Sequence, residues 1–196
     1  MRWWTTAVCV LALLSACGEA AHEPTSSANT GLRLLGGEVA DGFARSTTPR
    51  NFVFPADHGS HPAYRTEWWY FTGNVATDSG RHFGFELTFF RYALAPPIDR
   101  REGASAWRTE QVWMAHFALT DTANGRFVAR ERLTREALEL AGAQSGPLRV
   151  WVKDWSASGV DDSANPALRL DAHDDGTALP ATLTPTVGSV PQDDNH

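Results

Sequence analysis

The sequence predicts an all-β protein, an antiparallel sandwich or barrel, and three observations lead to this prediction. From Arg50 onward, apolar residues recur with a period of two, and Gly, Asn, Asp and Pro separate the segments. Eight Trp, ten Phe and three Tyr supply rings that favour pleated surfaces. A content of 42% hydrophobic and 20% charged residues is typical of a globular chain and excludes disorder throughout.

The first two predicted strands form a hairpin. Glu67–Val75 is rich in aromatic and β-branched residues, and the turn Thr77-Asp78-Ser79-Gly80 separates it from Arg81–Arg91. In the second strand Phe83, Phe85, Leu87 and Phe89 share one face. Large rings lie on both faces of these strands. One face is therefore expected to line a barrel lumen or to fill an ordinary core.

Further strands follow at short intervals. Asn124-Gly125 predicts a second hairpin turn. Thr134–Ala141 is expected to form one or two helical turns, because Gly142, Gly146 and Pro147 confine it. About seven strands are predicted in all, the later ones being Gln111–Thr120, Arg126–Arg132, Leu148–Trp155, Ala167–His173 and Thr177–Thr184.

The N-terminus predicts export and lipid anchoring. Residues 1–16 contain the basic Arg2 followed by an apolar run that is too short to span a membrane, which is typical of a signal peptide. Leu14-Ser15-Ala16-Cys17 resembles a lipobox, which predicts lipidation of Cys17; a plain secretory signal is the alternative. Gly18 after the cysteine is typical of lipoproteins of the Gram-negative outer membrane facing the periplasm.

The remaining chain divides by composition. Residues 17–50 are predicted to be a flexible tether, residues 51–190 the folded body and residues 191–196 a polar tail. A net charge of −6 without any basic block argues against nucleic acid as a partner. Cys9 and Cys17 both lie near the start, so no disulfide framework is expected.

The folded body resembles a known family. Phe54–Arg91, Val112–Asp121, Gly125–Arg132 and Val150–Ala157 resemble, in order, blocks of the carotenoid 1,2-hydratase (hydroxyneurosporene synthase, CrtC/AttH-like) family. The resemblance implies a lipocalin-like (calycin-type) antiparallel barrel, the first of the two barrels usual in the family. It also implies an envelope lipoprotein that binds or acts on a lipophilic polyene or terpenoid-type molecule.

The likeness covers the first barrel only. The Asp-Arg-Glu-Trp motif and the acidic residues of the family's second barrel have no counterpart in this chain. Hydro-lyase activity of the isolated chain is therefore in doubt, and a non-catalytic binding module or a truncated fragment are the alternatives. A second barrel supplied in trans, or self-association, is expected to cover exposed apolar surface.

The candidate catalytic residues are Asp57, His58 and Glu67, because hydration of an alkene needs a strong acid. The spacing His58-x₂-His61 beside Asp57 also fits a metal site. Hydrogen bonds to the backbone are the favoured interpretation of both histidines, so neither metal nor cofactor is expected. Glu67, if buried, is more readily explained as an ion-pair partner of Arg65, Arg91 or Arg108.

The candidate ligand-binding residues are aromatic residues and one histidine on the predicted strands, because such side chains could line an apolar pocket. His116, within an otherwise apolar strand, is expected either in the core with a hydrogen bond or at the ligand. The five candidates are Trp68, Tyr70, Trp113, His116 and Trp151.

Overall fold

The computed structural model describes residues 42–97, 105, 107 and 110–187, all of which belong to one compact unit, Glu38–His196. The signal peptide, Cys17 and the polar tail predicted from the sequence lie outside the described residues. Among the helices that the structure describes, none has both the length and the hydrophobicity of a membrane-spanning segment.

The described chain is all-β, as predicted, and folds into two antiparallel sheets. The first sheet has the strand order β1-β2-β3-β4 and the second has the order β5-β6-β7-β8-β9, so each is a meander of sequential neighbours. The strands are β1 (Thr66–Ala76), β2 (His82–Ala93), β3 (Gln111–Asp121), β4 (Arg126–Arg135), β5 (Ala141–Ser145), β6 (Leu148–Val152), β7 (Trp155–Gly159), β8 (Leu168–Asp174) and β9 (Thr177–Leu183).

Side chains from both sheets fill the space between them. Phe85, Leu87 and Phe89 are buried along one face of β2, as the period of two predicts. They form one cluster with residues of the second sheet. The interior of the described fold is thus a core packed with side chains, and these fill the space that a barrel lumen would occupy. The other buried members are Trp113, Ala115, Phe117, Ala141, Val150, Val152, Trp155, Ala157, Leu170, Ala172 and Leu179.

Polar contacts join the two sheets along β4. The Arg132 guanidinium lies over the Trp155 ring, 4.3 Å from its centroid, and pairs with Asp154. Arg130 pairs with Asp174 on β8. These ion pairs connect an edge strand of the first sheet to residues of the second sheet and of its β6–β7 turn.

The sequence prediction is wrong in the middle of the chain. Leu148–Trp155 is not one strand but a hairpin, in which Lys153 adopts a left-handed conformation (φ 58°) between β6 and β7. The predicted helical turns reduce to a 3-10 helix, Ala137–Glu139, and β5 follows at once. Nine strands are therefore described where about seven were expected.

Candidate functional site

A groove of about 670 Å³ opens at the end of the sandwich where β1 begins. Its exposed aromatic lining includes Trp68 and Tyr70, which are 65% and 55% exposed. They alternate along β1 with Trp69 and Phe71, which pack against the core and also line the groove. The remaining groove residues come from the segment before β1, from β1 itself, from the second sheet and from the loop before β8: Ser46, Arg50, Phe52, Asp57, His58, Gly59, His61, Tyr64, Glu67, Leu148, Asn165, Pro166 and Leu168.

Asp57 is held as a carboxylate at the polar side of the groove. Its Oδ2 accepts a hydrogen bond from the Val53 N–H, and its Oδ1 lies 2.7 Å from His61 Nε2 and 2.6 Å from Arg50 Nη2. These donors, above all the Val53 N–H, lower the pKa of Asp57 to about 2. Asp57 is consequently ionised at neutral pH and has no proton to donate there.

The lowered pKa of Asp57 predicts a loss of stability in acid. Because the carboxyl titrates near 3.8 in the unfolded chain and at about 2 in the folded protein, its contribution is complete above about pH 5. It disappears as the pH falls from about 4 to about 2, and because solvent screens this ion pair near the surface it amounts to about 1 kcal/mol or less. Urea unfolding of wild type and Asp57→Asn at pH 7 and pH 3 measures it. An unchanged difference between the two proteins at both pH values would contradict this account.

Glu67 and Arg91 form the inner end of the polar cluster. Arg91, fully buried on β2, donates from Nε to Glu67 Oε2 at 2.7 Å and from Nη2 to the carbonyl oxygens of His61 and Tyr64. The two residues lie opposite each other in the β1–β2 register. Of the three ion-pair partners considered for Glu67 from the sequence, Arg91 pairs with it, and Arg108 lies outside the described residues.

His61 connects the two halves of the cluster. Its Nδ1 lies 2.7 Å from Glu67 Oε1, and its backbone N–H donates to both oxygens of the same carboxylate. Its Nε2 lies between Asp57 Oδ1 and Arg50 Nη2, at 2.7 and 2.9 Å. A chain of charged and hydrogen-bonding groups thus runs from the exposed Arg50 to the buried Arg91. Sequence reasoning did not assign this bridging role to His61, although the i, i+4 spacing from Asp57 signalled it.

His58 also lies in the groove wall, but its partners differ from those of His61. Its Nε2 contacts the Ala164 carbonyl oxygen at 2.9 Å, its ring stacks on Phe54 at 4.4 Å, and its own carbonyl accepts a hydrogen bond from Trp69. These contacts fit the interpretation that His58 hydrogen-bonds the backbone. Across the part of the chain that the structure describes, no group of three or more His, Cys, Asp or Glu side chains is placed to hold a metal.

The five candidate ligand-binding residues are not gathered in one place. Trp113 lies in the core, stacked on Trp69 with ring centroids 5.7 Å apart. Trp151 lies on the outer face of the second sheet, where its ring covers Gly142 and its Nε1 donates to the Glu139 carbonyl. Only Trp68 and Tyr70 of the five line the groove.

His116 corrects the expectation of a core histidine. It lies on the outer face of the first sheet, 3.1 Å from Glu131, because the odd-numbered residues of β3 face the core and the even-numbered residues face outward. Its ring meets Phe90 edge to face at 5.2 Å.

Comparison with known proteins supports the resemblance of the folded body to AttH-like proteins. The AttH-like family model matches residues 45–196, and no curated protein matches the sequence. The fold also matches the crystal structure of a Nitrosomonas europaea protein described as an AttH, with a TM-score of 0.61 and 30% sequence identity. The match covers 78% of this chain and 43% of that chain, so this chain spans less than half of its relative. The chain, with its all-β, lipocalin-like fold, therefore belongs to the AttH-like family.

Proposed function

We propose that this protein is a binding module for an amphipathic lipophilic molecule, of the polyene or terpenoid class that the hydratase resemblance suggests, and that the groove at β1 holds it. The observation that carries the proposal is the pairing of exposed Trp68 and Tyr70 with the Arg50–Asp57–His61 cluster in one groove. Its volume, about 670 Å³, lies within the usual range for small-molecule sites.

The two sides of the groove fit the two ends of such a molecule. The rings of Phe52, Trp68 and Tyr70 offer apolar contact area at low entropic cost. Arg50, whose side chain is partly exposed beside Asp57, offers a cationic donor to a hydroxyl, carbonyl or carboxylate group. Because the core is filled, the ligand is expected in the groove, whose inner lining includes the core-packed Trp69 and Phe71.

The states of the two candidate carboxylic acids, Asp57 and Glu67, favour ligand binding over hydration as the role of this chain. Asp57 is ionised at neutral pH, and both Glu67 oxygens accept hydrogen bonds from His61 and Arg91. Neither carboxyl group is therefore set to protonate an alkene. Addition of water to a polyene by this chain alone would contradict the proposal of a non-catalytic module.

The binding proposal predicts a specific loss of affinity. Titration with a carotenoid or a fatty acid should quench the tryptophan fluorescence of the wild type. Trp68→Ala should weaken binding by roughly tenfold, because it removes the largest exposed ring of the groove. Trp107→Ala is the matched control, since Trp107 is exposed but does not line the groove. Equal losses in both variants would refute the placement.

We also propose that the protein is anchored in the cell envelope through Cys17. The support is the lipobox-like Leu14-Ser15-Ala16-Cys17 behind an apolar run. Cells expressing the wild type should incorporate labelled palmitate into the protein, and Cys17→Ser should abolish the label. Cys9→Ser should keep it, because Cys9 lies inside the predicted signal peptide. An unlabelled wild type would argue for the plain secretory signal, and a label that survives Cys17→Ser would place the acylation at another residue.

A further inference from the structure

The outer faces of the two sheets differ in chemistry. On the second sheet the outward row Arg149–Ser158–Arg169–Thr182 crosses β6 to β9 and is polar at every strand. This is the face expected of a sheet that meets water. The corresponding face of the first sheet is different and requires another explanation.

An apolar row crosses all four strands of the first sheet on its outward side. Trp68 lies opposite Phe90, Phe90 opposite Met114, and Met114 opposite Leu133, so the four side chains are direct cross-strand neighbours. Trp68 at one end is 65% exposed and Leu133 at the other end is 56% exposed, while Phe90 and Met114 are partly buried between them. A continuous apolar row of this length on an outer face marks an interaction surface.

Opposite charges flank the row on β4. Glu131 precedes Leu133 and Arg135 follows it on the same outward face, one on each side of the row. Glu131 contacts His116, and Arg135 forms no ion pair with any residue in 42–97 or 110–187. A surface with an apolar line between a carboxylate and a guanidinium is complementary to itself after a rotation of 180° about that line.

We propose that the apolar row and the residues beside it on the outer face of the first sheet form the interface of a homodimer, in which two copies pack face to face about a two-fold axis that runs along the row. The rotation places each apolar row against the partner's row and reverses the strand direction. Glu131 of each copy then faces the partner's Arg135. Sheets packed in this way lie about 10 Å apart, the separation at which facing side chains interdigitate.

A second copy fits this face better than a membrane does. The carboxylate of Glu131 lies beside the row, and the chain carries a net charge of −6, so an anionic bilayer would repel it. The isologous arrangement pairs the same two charges instead. The inference is independent of the proposed ligand site except at Trp68, which belongs to both surfaces, and its test therefore uses other residues.

The test is sedimentation velocity of the purified 196-residue chain over a range of concentrations. The wild type is expected to be a dimer, and Leu133→Lys is expected to raise the dissociation constant by roughly tenfold or more. Phe127→Lys is the matched control, because Phe127 is 67% exposed on the same face of the same strand but lies outside the row. Circular dichroism and the midpoint of thermal unfolding establish that both variants fold.

Charge reversal tests the symmetry. Glu131→Arg and Arg135→Glu should each weaken the dimer by roughly threefold to tenfold, and the double variant should restore it. A monomeric wild type, equal effects of Leu133→Lys and Phe127→Lys, or no rescue in the double variant would overturn the proposal. Binding of the monomer to phosphatidylglycerol vesicles, lost in Leu133→Lys, would assign the row to a lipid surface instead.

Discussion

Replacing Glu67 with alanine is expected to lower the free energy of unfolding by about 3–5 kcal/mol. The cause is the Arg91 guanidinium, which is fully buried and would lose the carboxylate that pairs with its Nε at 2.7 Å. The same change removes the carboxylate that accepts the His61 backbone N–H and that lies 2.7 Å from the Nδ1 atom of the His61 ring. Urea unfolding followed by circular dichroism at pH 7 measures the loss.

Two variants show whether the buried charge is responsible for the loss. Asp171→Ala removes an exposed carboxylate near His173 and should change stability by less than about 1 kcal/mol. The double variant Glu67→Leu/Arg91→Met removes both charges and should recover part of the stability lost in Glu67→Ala. A Glu67→Ala protein no less stable than Asp171→Ala would contradict the account of a buried ion pair.

Trp113→Ala is expected to destabilise the protein by a similar amount, about 3–5 kcal/mol. Trp113 is buried, stacks on Trp69 and belongs to the cluster that fills the space between the sheets, so truncation leaves a cavity. Trp68, on the opposite face of the first sheet, is largely exposed, and Trp68→Ala should cost less than about 1 kcal/mol.

This pair of variants separates the two interpretations of the tryptophans. Thermal and urea unfolding should rank Trp113→Ala far below Trp68→Ala in stability, whereas ligand affinity should fall in Trp68→Ala. A stable Trp113→Ala protein that had lost ligand binding would show instead that Trp113 lines a ligand-filled interior.

The parts of the fold with explicit turn chemistry were predictable from the sequence. Thr77–Gly80 and Asn124-Gly125 marked two hairpins, and the alternation in β2 identified its buried face. The Lys153 turn was missed because no Gly, Pro or Asn occupies it and a lysine takes the left-handed conformation. The short strand Ala141–Ser145 was missed because it lacks an alternation of apolar and polar residues.

The candidate site was predictable only where its residues are close in sequence. Asp57, His61 and Glu67 lie within one block, and the structure brings them together. Arg91 completes the cluster because the β1–β2 register places it opposite Glu67. From the sequence, three arginines were possible partners of Glu67, and nothing distinguished among them. Trp113 and Trp151 were grouped with Trp68 because the residue type alone does not reveal which face of which sheet a ring occupies.

If the interior is packed, a lipophilic ligand should lie in the groove at the start of β1. Photo-crosslinking of the full chain with a diazirine-bearing fatty acid, followed by peptide mass spectrometry, locates the bound ligand. Adducts are expected on the groove residues Phe52, Trp68 and Tyr70, and excess unlabelled carotenoid should suppress them. Adducts on the core residues Leu87 or Leu170 would contradict this placement, because they would place the ligand between the sheets.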